Sequence, residues 1–395
     1  MIADLPFKYR LLILCVIALV STVLVYAPTL KIAKSKNITD TPEDRKLQKV
    51  PVPVMGGIAV FFGIIVGLSF YKTLITYTSL FPVLSAMMIM LYIGAIDDCI
   101  GIKPSARFAI EIIVCLLICF GMKSCINCFQ GFLGVEDTLP RAVAIPLTVI
   151  TFIGIVNAVN MIDGVDGLSS GMCIFILGFF GLYFFFAHDY SYAALSAVSI
   201  GALLPFLLHN IFGGSSKMFI GDSGTMMIAT AIAAMVIRVL NAKFVPDLFN
   251  PVDFSRIGFV LALLSIPVAD TLRVMAVRIS RHRSPFMPDN NHFHHILIKL
   301  HFPPLMIAVI EVGMSFVVLL SLVVSWLLGA SGNLQIVIVI AVAAVLNWLG
   351  ATILCRSLDR GGRLSRALTR AGDRCHRENS RFWRAVQRLL DKSSL

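Results

Sequence analysis

Four clusters of polar residues in this chain have the make-up of a phosphate-handling site. Asp97 and Asp98 directly follow the apolar run Leu91-Tyr-Ile-Gly-Ala-Ile96. Two adjacent carboxylates repel, so they need a cation or a shared proton to coexist. The segment Asn157-Ala-Val-Asn160-Met-Ile-Asp163-Gly-Val-Asp166-Gly167 spaces two amides and two acids three residues apart. On a helix that spacing lines one wall, and such acceptors suit a nucleobase edge or sugar hydroxyls. In Phe219-Ile-Gly221-Asp222-Ser-Gly224, glycines flank an acid and leave room for a bulky anion beside a metal-bound carboxylate. The last cluster runs from Asp270 through Arg278, Arg281 and Arg283 to Asp289 and His292-Phe-His294-His295. Its imidazoles and guanidiniums are donors for phosphate oxygens. Hard oxygen ligands favour Mg²⁺, which keeps waters and shares substrate phosphates with one or two carboxylates.

Each cluster also has a bland reading. An aspartate at a helix end is often a cap. Asp-Asp after an apolar run is often a solvated turn, and the arginines could serve only to fix membrane orientation. His292, His294 and His295 could hold zinc, although the acidic partners favour a harder ion. Caps and anchors do not explain why all four clusters fall on the same face of a membrane.

That face follows from composition. The 395 residues are 58% hydrophobic and 14% charged, with mean hydropathy +0.88. Soluble domains carry about 25% charge, so lipid is the expected solvent. Apolar runs lie at 11–30, 54–72, 78–96, 107–122, 143–161, 168–187, 193–209, 222–240, 257–277, 305–329 and 333–354. The chain is therefore read as all-α, with about eleven spanning helices. The first run lacks an A-x-A-like cleavage site and reads as a retained helix. Loops 31–53, 97–106, 209–221 and 278–304 with the tail from 355 hold 23 Lys and Arg, against 7 on the other side. Without the tail the bias is 12 to 7. The positive-inside rule puts the first group in the cytoplasm and the N-terminus in the periplasm. Eleven spans then place every polar cluster on the cytoplasmic side. The net charge of +11 fits such loops, and no nucleic-acid partner is expected. Cys125 and Cys128 form a lone C-x-x-C, read as ordinary thiols or a redox pair. Residues 1–355 read as one membrane domain. Residues 356–395 read as a basic cytoplasmic tail, either an amphipathic helix on anionic lipid or a solvated extension.

The ordered motifs resemble the polyprenyl-phosphate N-acetylhexosamine-1-phosphate transferases, the family that contains MraY and WecA. The resemblance runs from about residue 31 to 300. It rests on Arg45-Lys46 to Pro53, Gly56-Gly57, Asp97-Asp98, Asn157 to Gly167, Gly221-Asp222-Ser-Gly224 and Pro285 to His295. His292-Phe-His294-His295 looks like the H-x-H-H form of the WecA branch. Gln48 departs from the family's R-K-x-H pattern. The resemblance implies transfer of GlcNAc-1-phosphate from UDP-GlcNAc to undecaprenyl phosphate at a bacterial inner membrane, with Mg²⁺ or Mn²⁺. It implies Asp97, Asp98 and Asp222 as catalytic, metal-holding residues, Asp222 foremost as the ligand, with Asp97 and Asp98 near metal and lipid phosphate and one of them serving as base or placing the nucleophile. Asn157, Asn160, Asp163 and Asp166 would face uridine and sugar, and Phe219 would stack on uracil. Lys46, Arg278, His292, His294 and His295 would neutralise the diphosphate, with His292 also catalytic.

In such a reaction the anionic lipid phosphate attacks the β-phosphorus directly, or an aspartyl-phosphate forms first. A groove between helices is expected to admit the polyprenyl chain from lipid, and a homodimer is compatible with the sequence. Rival readings are a secondary transporter, whose sites lie near the midplane, an MraY-like enzyme for UDP-MurNAc-pentapeptide, and a non-catalytic scaffold.

Overall fold

A computed structural model describes residues 6–40, 50–71, 80–135, 138–241, 254–285, 289–376 and 380–393. Apolar runs of this length in lipid must satisfy their own backbone, and the helix does so within one segment. Ten helices among the described residues are long and apolar enough to cross a membrane. They are α1 (Phe7–Ser35), α3 (Leu80–Ile100), α4 (Pro104–Gly121), α5 (Arg141–Met161), α6 (Leu168–Phe186), α7 (Tyr190–Phe212), α8 (Gly221–Val239), α9 (Arg256–Ser280), α11 (Pro304–Leu327) and the continuous stretch Gly332–Asp359. That stretch comprises α12 (Gly332–Ala344), a π-helical turn Val345–Leu349, and α13 (Gly350–Asp359).

The eleventh expected span is present as a shorter apolar helix. The run 54–72 folds as α2 (Gly56–Ser69), a helix of 14 residues. At 1.5 Å per residue it reaches about 21 Å, short of a hydrocarbon core of about 30 Å.

The hub of the bundle is α8, buried along nearly its whole length. Its sequence is dominated by Gly, Ala, Thr and Met, and small residues let neighbouring backbones close in. α3, α5 and α2 pack along it, while α9 packs with α11 and α12. Gly94 of α3 faces the start of α8, where a β-carbon would collide with the Ser223 backbone. The outer helices present Leu24, Phe120, Leu327 and Val337 outward, as lipid-facing surfaces do.

Two short strands, β1 (Thr39–Asp40) and β2 (Val52–Pro53), pair antiparallel. Phe219 N donates to Pro53 O at 2.8 Å, and Gly56 N donates to Phe219 O at 2.9 Å. The segment after α1 is thereby pinned to the loop that opens α8. Lys46 and Gln48 lie outside the described residues. Polar helix ends gather at one end of the bundle: the C-terminal ends of α3, α5 and α9 and the N-terminal ends of α4 and α8. α10 (Phe293–Lys299) lies at the same end.

Candidate active site

Asp98 secures the start of α8. Its Oδ1 accepts from Asp222 N at 2.8 Å and its Oδ2 accepts from Ser223 N at 3.1 Å. A helix N-terminus carries unpaired N–H groups and partial positive charge, so a carboxylate from a neighbouring helix satisfies both. Gly221 makes the approach feasible. Its φ is +71°, and a β-carbon there would strike Asp98 Oδ2. Asp98 was expected beside the metal. In the structure both its oxygens serve backbone amides, so it positions Asp222.

Asp97 and Asp222 instead converge on Arg107. Arg107 Nη1 lies 3.4 Å from Asp97 Oδ2 and 3.5 Å from Asp222 Oδ2. Its Nε contacts Glu111 Oε1 at 3.3 Å. Glu111 is fully buried and also accepts from Asn157 Nδ2 at 2.8 Å. With its oxygen turned toward Arg107, Asn160 accepts from Arg107 Nη1 at 3.2 Å and donates to Asp222 Oδ1 at 3.0 Å. The two asparagines therefore hold the acid–arginine cluster, where a contact to uridine and sugar was expected.

Sequence reasoning missed Arg107 and Glu111. They lie at the head of the run 107–122, which reads only as an apolar span. The signal was present: an i,i+4 Arg–Glu pair at the head of a spanning helix is costly and points to function.

Two carboxylate oxygens aimed at one guanidinium nitrogen mark a place where cationic charge belongs. Asp222 keeps 36% of its side chain exposed toward the cavity. This donor set fits a magnesium ion held by two carboxylates, with waters and substrate phosphates completing its shell. Among the described residues no group of three or more His, Cys, Asp and Glu forms a closed metal site.

The wall after α5 departs from the expected helical face. α5 ends at Met161, so Asp163 and Asp166 lie on the turn that follows. Asp163 accepts from Ser169 Oγ. Burial, reinforced by nearby carboxylates, pushes its pKa up to about 7. The folded state thus keeps a proton that the unfolded chain loses near pH 4. Stability contributed by Asp163 is present at low pH and lost as pH rises through about 7. Asp163→Asn is expected to raise the thermal midpoint by a few degrees at pH 8, by clearly less at pH 5, and to leave it nearly unchanged below pH 4. Equal shifts across that range would contradict this. Asp166 pairs with Lys217 Nζ at 2.5 Å, and Lys217 sits 5.6 Å from the centre of the Phe219 ring.

The opposite wall is built on Asp270, buried in α9. Its Oδ2 meets His292 Nδ1 at 2.7 Å, and its Oδ1 accepts from Arg273 Nη2 at 2.7 Å and from Phe293 N at 3.1 Å. Arg273 also donates to Asn347 Oδ1 at 3.3 Å, from the π-helical turn. The carboxylate orients the imidazole and leaves Nε2 for the cavity. Asp270→Asn is expected to lower turnover about 10–100-fold with substrate KM little changed. A loss confined to KM would remove the positioning role.

His294 and His295 are lowered by burial and by neighbouring positive charge, to about 3 and about 4. Those shifts favour neutral, hydrogen-bonding imidazoles, where charge neutralisation was expected. Arg278 also differs from expectation. It forms a two-point pair with Asp289, each contact 3.0 Å, and donates to Pro285 O at 2.6 Å. It straps the loop that leads to the histidines.

These walls enclose a cavity of about 1640 Å³, bordered by every expected site residue except Lys46. Its far end is apolar, lined by Phe108 of α4, Ile150 and Ile153 of α5, and Leu272 and Met275 of α9. Ile150 and Leu272 reach the outer surface.

Residues 80–240, from α3 through α8, match the family model for glycosyl transferase family 4. Decaprenyl-phosphate N-acetylglucosaminephosphotransferase of Mycobacterium tuberculosis is 30% identical over 313 residues, 73% of this chain and 76% of that protein. The chain belongs to this transferase family. Two other relatives agree with that placement. Undecaprenyl-phosphate alpha-N-acetylglucosaminyl 1-phosphate transferase of Escherichia coli K12 is 28% identical, over 69% of this chain and 72% of that protein. A probable undecaprenyl-phosphate N-acetylglucosaminyl 1-phosphate transferase of Bacillus subtilis is 27% identical, over 73% and 77%. In this family 4 member the matched segment contains Asp97, Asp98, Arg107, Asn160 and Asp222, the whole acid–arginine cluster.

Proposed function

We propose that this family 4 transferase moves GlcNAc-1-phosphate from UDP-GlcNAc to a polyprenyl phosphate and releases UMP. The observation that carries the reading is one cavity with two chemistries. A polar end of carboxylates, arginine and imidazoles suits a nucleotide diphosphate. It continues into an apolar groove between α4, α5 and α9 that reaches the lipid-facing surface, as a lipid acceptor requires. The excess of basic residues on the site-side loops favours a cytoplasmic site in a bacterial inner membrane.

The lipid phosphate oxygen attacks the β-phosphorus, the bond to the α–β bridging oxygen breaks, and UMP departs with that oxygen. Enzymes for this step work by positioning and by neutralising charge. Mg²⁺, or Mn²⁺ in its place, would be held by Asp97 and Asp222 and would draw charge from the diphosphate as UMP leaves. Arg107, released from the acids, would supply a planar donor for phosphate oxygens. Lys217 and the Nε2 of His292 would contact the same group from the other walls. Phe219 offers a ring face for uracil beside Asp163 and Asp166.

The test uses purified protein in nanodiscs with Mg²⁺, polyprenyl phosphate and a panel of UDP-sugars. The expected products are UMP and a lipid carrying GlcNAc through a diphosphate, identified by mass. Release of inorganic phosphate or free sugar phosphate, or transport of the nucleotide sugar without turnover, would overturn the reading. Preference for UDP-MurNAc-pentapeptide would reassign the substrate.

A further inference from the structure

The basic tail forms two helices, α14 (Arg363–Cys375) and α15 (Arg381–Ser393), and both are docked near the site. At one side of the cavity mouth Asp373 Oδ1 meets His301 Nδ1 at 3.0 Å, and His376 Nε2 donates to His301 O at 3.0 Å. At the other side Asp391 Oδ1 accepts from Gly214 N at 3.1 Å and Ser216 N at 2.9 Å. The Trp383 ring lies 4.6 Å from Phe212 at the end of α7. Lys34, near the end of α1, donates to Ser215 O in the same loop at 2.5 Å. α15 therefore lies level with the ends of spanning helices, where hydrocarbon gives way to headgroups.

α15 does not turn all its apolar side chains inward. Trp383, Val386 and Leu390 are partly buried against the body. Phe382 and Leu389 are each 70% exposed. At 100° per residue, 382, 385 and 389 share one stripe, and Arg381, Arg388 and Lys392 form the stripe beside it. An apolar stripe flanked by bases is the make-up of a helix lying in an anionic interface. A second copy across a two-fold axis would bring the basic stripe toward its own counterpart and meet like charge.

We propose that α15 is an interfacial helix that senses anionic lipid in the site-side leaflet. Phe382 and Leu389 enter the acyl boundary, and Arg381, Arg388 and Lys392 pair with headgroup phosphates. The inner face meanwhile braces the α7–α8 loop, which leads into Lys217 and Phe219. The partner is thus a negatively charged membrane surface, and the docking is independent of which sugar is transferred.

Hydrogen exchange followed by mass spectrometry tests this, with one full-length chain per nanodisc. Exchange across 381–392 is expected to slow about tenfold when phosphatidylglycerol is added to phosphatidylcholine. The double variant Phe382→Ser/Leu389→Ser should lose the slowing, keep turnover, and retain wild-type protection in α8 as a control for folding. Equal exchange in both lipids would show a solvated helix and overturn the proposal. So would slowing that appears only with two chains per disc, which would assign the stripe to self-association.

Discussion

Asp222→Ala is expected to reduce transfer by about 10³-fold or more while the protein still inserts and folds. The side chain faces the cavity, and its oxygens meet Arg107 Nη1 at 3.5 Å and Asn160 at 3.0 Å. Its loss removes one of the two acids that converge on the cationic position. Folding should survive because the start of α8 is secured by Asp98 and not by Asp222. Asp222→Asn separates charge from shape. It should be nearly as inactive and should bind Mn²⁺ weakly when titrated and followed by spin resonance. Near-normal turnover or unaltered Mn²⁺ binding in either variant would remove Asp222 from the metal role.

Arg107→Ala should lower turnover by about 10²–10³-fold with the opposite effect on metal binding. The guanidinium contacts Asp97 and Asp222 at 3.4 and 3.5 Å, so it competes with a divalent cation for the same oxygens. Removing it leaves two carboxylates facing each other without a counter-charge. Mn²⁺ should then bind more tightly than to the native protein. The metal-free variant should lose thermal stability and regain it when Mg²⁺ is added. Unchanged Mn²⁺ affinity would show that arginine and metal occupy separate places. Unchanged turnover would confine Arg107 to a structural role.

The contrast between these two residues shows what a single chain of letters discloses. Asp222 is conspicuous because glycines flank it and an apolar run follows. The spans are conspicuous because lipid demands long apolar segments, and even α2 stands out as an apolar run, though its helix is shorter than the others. Arg107 was hidden because its partners come from α3, α5 and α8, and only packing brings them together. Arg278 was misread for the converse reason. An arginine near histidines resembles a phosphate donor, yet Asp289, eleven positions on, engages it. Asn157 and Asn160 line the cavity and also brace Glu111, Arg107 and Asp222, since spacing specifies a face but not all that the face meets. His294 and His295 carry the same lesson in electrostatics, because burial sets their protonation and a motif does not reveal burial.

The π-helical turn Val345–Leu349 has a consequence beyond its five residues. It turns Asn347 into the bundle, 74 positions from Arg273 and 77 from Asp270, where it contacts both. A π turn arises when a helix accommodates one residue more than its regular winding takes. Deleting a single residue between 344 and 350 would let the stretch wind as a regular helix with its flanks in register, and would remove the bulge that turns Asn347 inward. Asn347 would swing toward lipid, and the aim of His292 would loosen without any change to the histidine motif. The last span thus acts as a gauge on the catalytic wall, and its residue count is under the same constraint as the site itself.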